Sequence, residues 1–403
     1  MRNTPTMTGN AHSGECSQLE RITPESGHFF YGYYDLPAWD SSGQRHLAHR
    51  VTFIDRIPKP EDATELGFVT TGDTSFHPVA TTNAWNFQQG SMLQWHPQEP
   101  NQILFNQREG QQFKGVIHDL HKNQTIRLPA PIANVDPLGR YALSVNFSRM
   151  FDFRPGYGYA GTPDPFASQT QPNADGIWRM ELPDGPCRLI LSLAELGDIC
   201  RPYFGQQKLL VNHLNLNPSG TRFVALVRHF PDKPGAPLRT IAITANADGS
   251  RPFILWDGGV ASHYHWRDDT TLSMVIRTPQ GAITLAEFRD EQPGYTLVDP
   301  AFFLDDGHQS YSPDRQWLLY DSYPQDEKRS LYLYDLRQKI GHRLATVKSH
   351  SINTPVRLET RCDLHPRWHP DGRRLSFDSV HEGFRGIYRL NLQHLQASAN
   401  HND

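Results

Sequence analysis

Short runs in which apolar and polar residues alternate recur along the whole chain, separated by clusters of Pro, Asp, Asn, Ser and Gly. A period of two predicts half-buried β-strands, and the breaks predict tight turns. The segment LNLNPSGTRFVALV (Leu214 to Val227) shows the unit: a strand, an N-P-S-G turn and a second strand of alternating apolar residues. The same pattern recurs at PAWDSSGQRHLAHR, LQWHPQEPNQILFN, ANVDPLGRYALSV, YHWRDDTTLSMVI, SYSPDRQWLLYDS and PRWHPDGRRLSFDS, seven occurrences in all. Pro fixes φ, Asp and Asn bond their own backbone, and Gly accepts positive φ, so each cluster can join two antiparallel strands.

Two looser strands follow most of these hairpins, as in FKGVIHDLHKNQTIRLP and SLYLYDLRQKIGHRLA. Four antiparallel strands per unit, repeated seven times, predict an all-β chain folded as a seven-bladed β-propeller. The intervals between turns run from 40 residues (Pro97 to Pro137) to 81 (Pro137 to Pro218), the longest bracketing a Gly-, Pro- and Tyr-rich insertion, Phe151 to Gly176, expected to cover one face. The last unit ends at GIYRLNL with one edge unpaired, whereas LERITPES near the N-terminus reads as a fourth strand. Closing the ring with that N-terminal strand would remove the edge. The expected organisation is a propeller over residues 18–393, flanked by flexible ends at 1–17 and 394–403.

Composition narrows the function classes. With 403 residues, 20% of them charged, 37% hydrophobic and a formal charge of −4, the chain has no basic surplus for nucleic acid. No basic leader followed by an apolar run opens the chain, and no stretch is long enough to span a bilayer, so a cytoplasmic protein with neither nucleic-acid nor membrane partners is expected. Cys16, Cys187, Cys200 and Cys362 are scattered without a C-x-x-C pair, which fits reduced thiols. Nucleophile-elbow, P-loop and Rossmann signatures are missing.

The repeat also carries a chemical signal. His213, His263, His308 and His365 each lie five residues before the same turn position, at 218, 268, 313 and 370, in four successive units. In a propeller that register sits where the innermost strand enters the central channel, so four imidazoles would meet at one rim. Three or four could bind one divalent ion, Mn²⁺ or Zn²⁺ among the options. Alternatively they bridge blades structurally. Blades one to three hold other residues at the slot, Leu36 or Asp35, Met92 and Ile132, which speaks against a bond that every blade requires.

Those three blades offer their own polar groups: Tyr33, Tyr34 and Asp35, then Asn86, Gln88 and Gln89, then Asn146, Arg149 and Arg154 with Tyr157 and Tyr159 in the insertion. Aromatic faces beside arginines suit a carbohydrate bearing carboxylates, although each of these residues can equally cap a loop or pack within it. Arg361 and Asp363 precede His365, the first a binding candidate and the second a possible orienting partner. His265 is a second-tier candidate on the face of His263. His77, His96, His118, His121 and His369 are expected at the surface. Asp35, Asp305, Asp306 and Asp363 keep a glycoside hydrolase open.

The segments LVNHLNLNPSG and ASHYHWRDD, with the repeated S-P-D-G-like turns, resemble the oligogalacturonate lyases, and the turns are also similar to those of TolB-type propellers. Strings such as YGYYDLPAWD, AWNFQQGSMLQW, RPGYGYAG, DGHQSYSPD and RCDLHPRW resemble a group of bacterial propeller proteins along nearly the whole chain. The lyase resemblance implies a manganese-dependent β-elimination on a small acidic oligosaccharide, with histidines and a glutamine as ligands; a non-catalytic TolB-like binding propeller is the alternative. By that resemblance His213 and His263 match the motif, while His308 and His365 follow from register. Gln309 and Gln88 are the options for the glutamine, His213 is a ligand or base, and Arg149 or Arg154 serves the carboxylate or as base.

Overall fold

The computed structural model describes residues 19–231, 233, 238–351, 354–393 and 395. The expected flexible ends, 1–17 and 394–403, lie outside these residues apart from Leu395. Seven four-stranded antiparallel sheets form the ring. From inner to outer strand, blade four is Leu209–Leu216, Arg222–His229, Thr240–Asn246 and Phe253–Trp256. Blade six is Gln309–Tyr311, Trp317–Asp321, Lys328–Asp335 and Ile340–Lys348. Blade seven takes Arg367–Trp368, Arg374–Ser379 and Gly386–Asn391 from the C-terminal end, and Glu20–Arg21 pairs antiparallel with Gly386–Asn391 as its outermost strand. The N-terminal strand thus closes the ring.

The turn chemistry behaves as the residue types require. The Asp40 carboxylate accepts from the Gln44 and Arg45 amides, the Asn217 side chain from Thr221 and Arg222, and Asp268 from Thr270 and Thr271. Gly43, Gly139, Gly220 and Gly372 take the positive φ of the turn, between 66° and 69°. Blade six puts Arg315 there instead, at φ 63°. Apolar faces of neighbouring sheets pack together between these turns, as Leu319, Leu333, Leu375 and Phe377 do between blades six and seven.

Two departures from the expected pattern shape the channel mouth. Blade one begins earlier than its turn suggests: its inner strand is His28–Phe30, paired with Arg45–Val51. Residues 31–38 therefore leave the sheet before Trp39 bridges back to His46. This excursion reaches across the channel, because the Tyr34 hydroxyl bonds the backbone of Tyr264 and Asp35 accepts from Asn215. The blade-three insertion, between Tyr141–Ser144 and Gly176–Glu181, starts with a helix, Phe147–Phe153, capped by the Asn146 side chain. A second short helix, Pro355–Thr360, lies in the connection from blade six to blade seven.

Candidate metal centre

The histidine slot is a β-bulge at two positions. Pairing of blade four shifts register across His213, and that of blade five shifts between Ala261 and Tyr264, around His263. A bulge re-aims its side chain out of the sheet alternation. His213 and His365 carry positive φ, 59° and 43°, and so does Met92, at 57°, the residue in the same slot of blade two. The backbone geometry is shared, then, even where the imidazole is not.

All four histidines are buried, with at most 8% exposure. Three of them cluster. The His263 and His308 rings lie 3.9 Å apart, and those of His308 and His365 lie 4.2 Å apart. His213 stands off from them, stacked at 4.6 Å on Tyr33, which also meets His365 at 5.2 Å and His308 at 6.0 Å edge-on. The Gln89 amide lies 3.1 Å from His213 Nδ1, and the Tyr33 hydroxyl lies 3.4 Å from its Nε2. Burial, with the positive charge of Arg228, pushes His213 well below the usual histidine range, so the ring is neutral.

Hydrogen bonds set the tautomers of the other rings. His365 Nδ1 lies 2.8 Å from the Gly32 carbonyl, which can only accept, so Nδ1 carries the proton. His308 Nδ1 lies 2.9 Å from Asp321, a carboxylate that also takes the backbone N–H groups of His308 and His365. Its Nδ1 is likewise the donor. The two Nε2 atoms, each left with a lone pair, then face one another at 3.1 Å. Two bare lone pairs at that distance repel, and a shared proton or a cation between them relieves the repulsion. Two imidazole nitrogens bound about 2.1 Å from one ion stand about 3 to 3.5 Å apart, so a metal fits.

Asp363 completes the group, with Oδ2 3.9 Å from His365 Nε2; His308, Asp363 and His365 have ligand atoms within 4.8 Å of one another. Burial alone would raise the Asp363 carboxyl, but Arg329 and Arg361, in contact at 2.5 and 2.6 Å, hold it well below the ordinary carboxylate range. His263 is held from behind by Asp306, 3.0 Å from its Nδ1. Three histidines thus have an acceptor at Nδ1, the outer support that metal-binding imidazoles have.

The remaining sequence candidates divide. Tyr157 reaches the site: its ring meets His213 at 5.0 Å and its hydroxyl accepts from Arg154 Nη1 at 2.9 Å. Burial would raise this phenol, yet the charges of Arg154, Arg361 and Arg228 outweigh it and hold Tyr157 below the ordinary tyrosine value. Arg361 is buried between Tyr323, Asp363 and the Leu358 carbonyl. The Tyr34 ring lies under His263, His308 and His365 as a floor. Asp35 sits in a small channel cavity with Tyr33, Gln89, Met92 and His213, where burial raises its pKa to about 7.

Other candidates have structural tasks. Arg149 is fully engaged within the fold: its Nε and both Nη atoms donate to Asp164 and to the carbonyls of Leu209, Phe166, Gln169 and Thr170, so it pins the insertion to blade four and has no donor left for a ligand. Tyr159 is fully buried, stacked on Phe147 at 4.4 Å and bonded to Asn106. Asn86 holds its own loop through the Gln88 and Gln89 amides, and Gln88 donates to the Arg361 carbonyl. Gln309 donates to the His263 carbonyl. His265 packs against Tyr311 instead of joining His263, because the bulge breaks the alternation. His369, expected at the surface, is buried against Trp39 and bonds the Gly43 carbonyl; His118 is also mostly covered and bonds Thr125.

Of the four carboxylates that a hydrolase would draw on, Asp35 is engaged by Asn215, Asp305 by the Asp306 amide, Asp306 by His263, and Asp363 by two arginines. Sequence reasoning missed Asp321 altogether. Its position at the end of a strand beneath the slot carries no local motif.

No family model matches the chain, and no curated protein matches it in sequence. Solved structures do match. An oligogalacturonate lyase in complex with manganese superposes with a TM-score of 0.66 at 14% identity, covering 93% of each chain. The oligogalacturonate lyase from Vibrio parahaemolyticus gives 0.64 at 12% identity, covering 94% of this chain and 95% of that one. TolB from Acinetobacter baumannii gives 0.41 at 12% identity over 74% of this chain and 62% of that one. At these identities the likeness is one of fold.

Proposed function

We propose that this propeller is a metal-dependent lyase that cleaves a short uronate-containing saccharide by β-elimination, with His308, His365 and Asp363 as the core of a manganese-class site. The observation that carries the reading is the pair of Nε2 lone pairs facing each other at 3.1 Å, each ring fixed by an acceptor behind it. His263, beside His308, is the next ligand, and the likeness in fold to a manganese-bound lyase is consistent with that choice. His213, expected among the ligands, is reassigned to the substrate side, since both its nitrogens already face partners.

Elimination beside a carboxylate needs that carboxylate neutralised, the C5 proton removed and the O4 leaving group protonated. When bound, the metal supplies Lewis acidity at the carboxylate. Tyr157, which Arg154, Arg361 and Arg228 hold below the ordinary tyrosine value against its burial, takes the C5 proton. The C5–H electron pair becomes the C4–C5 double bond, the C4–O4 bond breaks with its pair on oxygen, and Tyr157 returns the proton to O4. A tyrosine suits the role of base better than Arg149 or Arg154, because a guanidinium gives up its proton only at extreme pH.

The test is metal analysis of the purified protein followed by assay on short galacturonate oligomers, reading the ultraviolet absorbance of the unsaturated product. Stoichiometric manganese or a related ion, with activity lost on chelation, is expected. Protein that takes up no metal, or that releases sugar without the unsaturated product, would sink the reading.

A further inference from the structure

The mouth of the channel holds a carboxylate already, and it belongs to the protein. Glu359, in the helix Pro355–Thr360, reaches across to the blade-three insertion. Its oxygens accept from Arg154 Nε at 3.0 and 3.3 Å and from the Gly156 amide at 2.7 Å. Gly156 is what permits this approach, since a Cβ there would lie 2.3 Å from Glu359 Oε2. Arg154 Nη1 holds the Tyr157 hydroxyl, while its Nη2 is buried with no hydrogen-bond partner among the described residues. The two N–H groups of that nitrogen are therefore left over in a pocket already built around a carboxylate. The side chains of Arg154 and Glu359 are 22% and 11% exposed, so the pair lies at the boundary between solvent and the buried histidines.

We propose that Arg154 and the Gly156 amide form the subsite for a substrate carboxylate, and that Glu359 is its resident occupant, displaced when a uronate binds. This rests on the lyase reading and deepens it, by naming where one acid group of the saccharide docks. Among the described residues the Arg154–Glu359 pair is the ion pair that ties the insertion to the blade six–seven connection. Exchange of one carboxylate for another therefore breaks this tie as the ligand is captured. One carboxylate–guanidinium contact replaces another, which limits the electrostatic cost of the swap. It also discriminates: a neutral sugar cannot displace Glu359 from the guanidinium.

The consequence is measurable as competition. If Glu359 fills the cradle about nine-tenths of the time, an incoming carboxylate loses about tenfold in apparent affinity. Calorimetric binding of galacturonate to the chelator-treated full chain, with galactose as the neutral control, reads this without turnover. Glu359→Ala should bind galacturonate about tenfold more tightly, on the same occupancy argument, and galactose no better. Glu359→Gln, which keeps the shape, should shift affinity in the same direction by less, and serves should the alanine variant unfold. Adding Gly156→Ala should remove the gain. Unchanged or weaker galacturonate binding in both Glu359 variants would overturn the proposal, as would an equal gain for galactose. Tighter binding without any unsaturated product from oligomers would uphold the cradle while sinking the lyase reading.

Discussion

The polar side chains of blades five to seven and those of blades two and three approach the same mouth, but they are braced differently. On the first arc each imidazole has an acceptor behind Nδ1: Asp306 for His263, Asp321 for His308 and the Gly32 carbonyl for His365. On the second arc the polar groups are amides, a phenol and arginines that mostly bond one another or the backbone. A slot with the same left-handed backbone, Met92, holds no chemistry at all there. What makes a metal-ready imidazole is therefore the group that fixes its tautomer, and a position at the rim is insufficient. His213 lies at the join: it has the slot and the bulge, but an amide instead of a carboxylate at Nδ1.

The largest effect expected from breaking this contrast is on stability, within the second arc. Arg149 and Asp164 are both almost fully buried, so Arg149→Met should strand a carboxylate and several carbonyls and cost about 3–5 kcal/mol in denaturant unfolding. Arg154→Met, on the partly exposed rim, should cost about 1 kcal/mol or less. Comparable losses would mean that the two arginines share one task.

Metal affinity tests the first arc. His308→Ala should weaken manganese binding about a hundredfold or more, and Asp321→Asn, which leaves the ligand but alters its support, by about ten- to a hundredfold. His213→Ala should shift it less than either. A His213 effect as large as that of His308, measured by competition with a metal indicator, would restore His213 to the ligand set.

A pH-dependent effect concerns Asp35. Its carboxyl is raised from the ordinary value to about 7 by burial, so the folded chain holds a proton there that the unfolded chain has lost. Stability from this group is present at low pH and declines as pH rises from about 4 through 7. Asp35→Asn should thus stabilise the chelator-treated protein above pH 7, by about 2 kcal/mol given partial solvation, and the gain should fade towards pH 4. A gain independent of pH would assign the effect to packing.

Much of this fold is legible in the chain because each blade repeats a local rule. The Asp, Asn and Gly of each turn satisfy backbone groups within five residues, and the alternation of strands such as Arg222–His229 follows from one chain segment alone. The fixed interval from histidine to turn marks the rim for the same reason. Site partners obey no such rule. Arg149 and Arg154 lie five residues apart in one insertion, yet one is spent on Asp164 and carbonyls of the cover and the other faces Tyr157 and Glu359.

By itself, then, the sequence determined the strands, the turns, the seven-fold repeat and the residues presented at the slot, since these depend on neighbours within a few positions. The tertiary structure alone decided which of them meet. Closing the ring sets Gly32 against His365 across 333 positions and Glu359 against Arg154 across 205, and the nitrogen left bare on each histidine depends on such contacts. Tautomer, charge and access are properties of the assembled mouth, because hydrogen bonds and Coulomb forces act through space and take no account of distance along the chain.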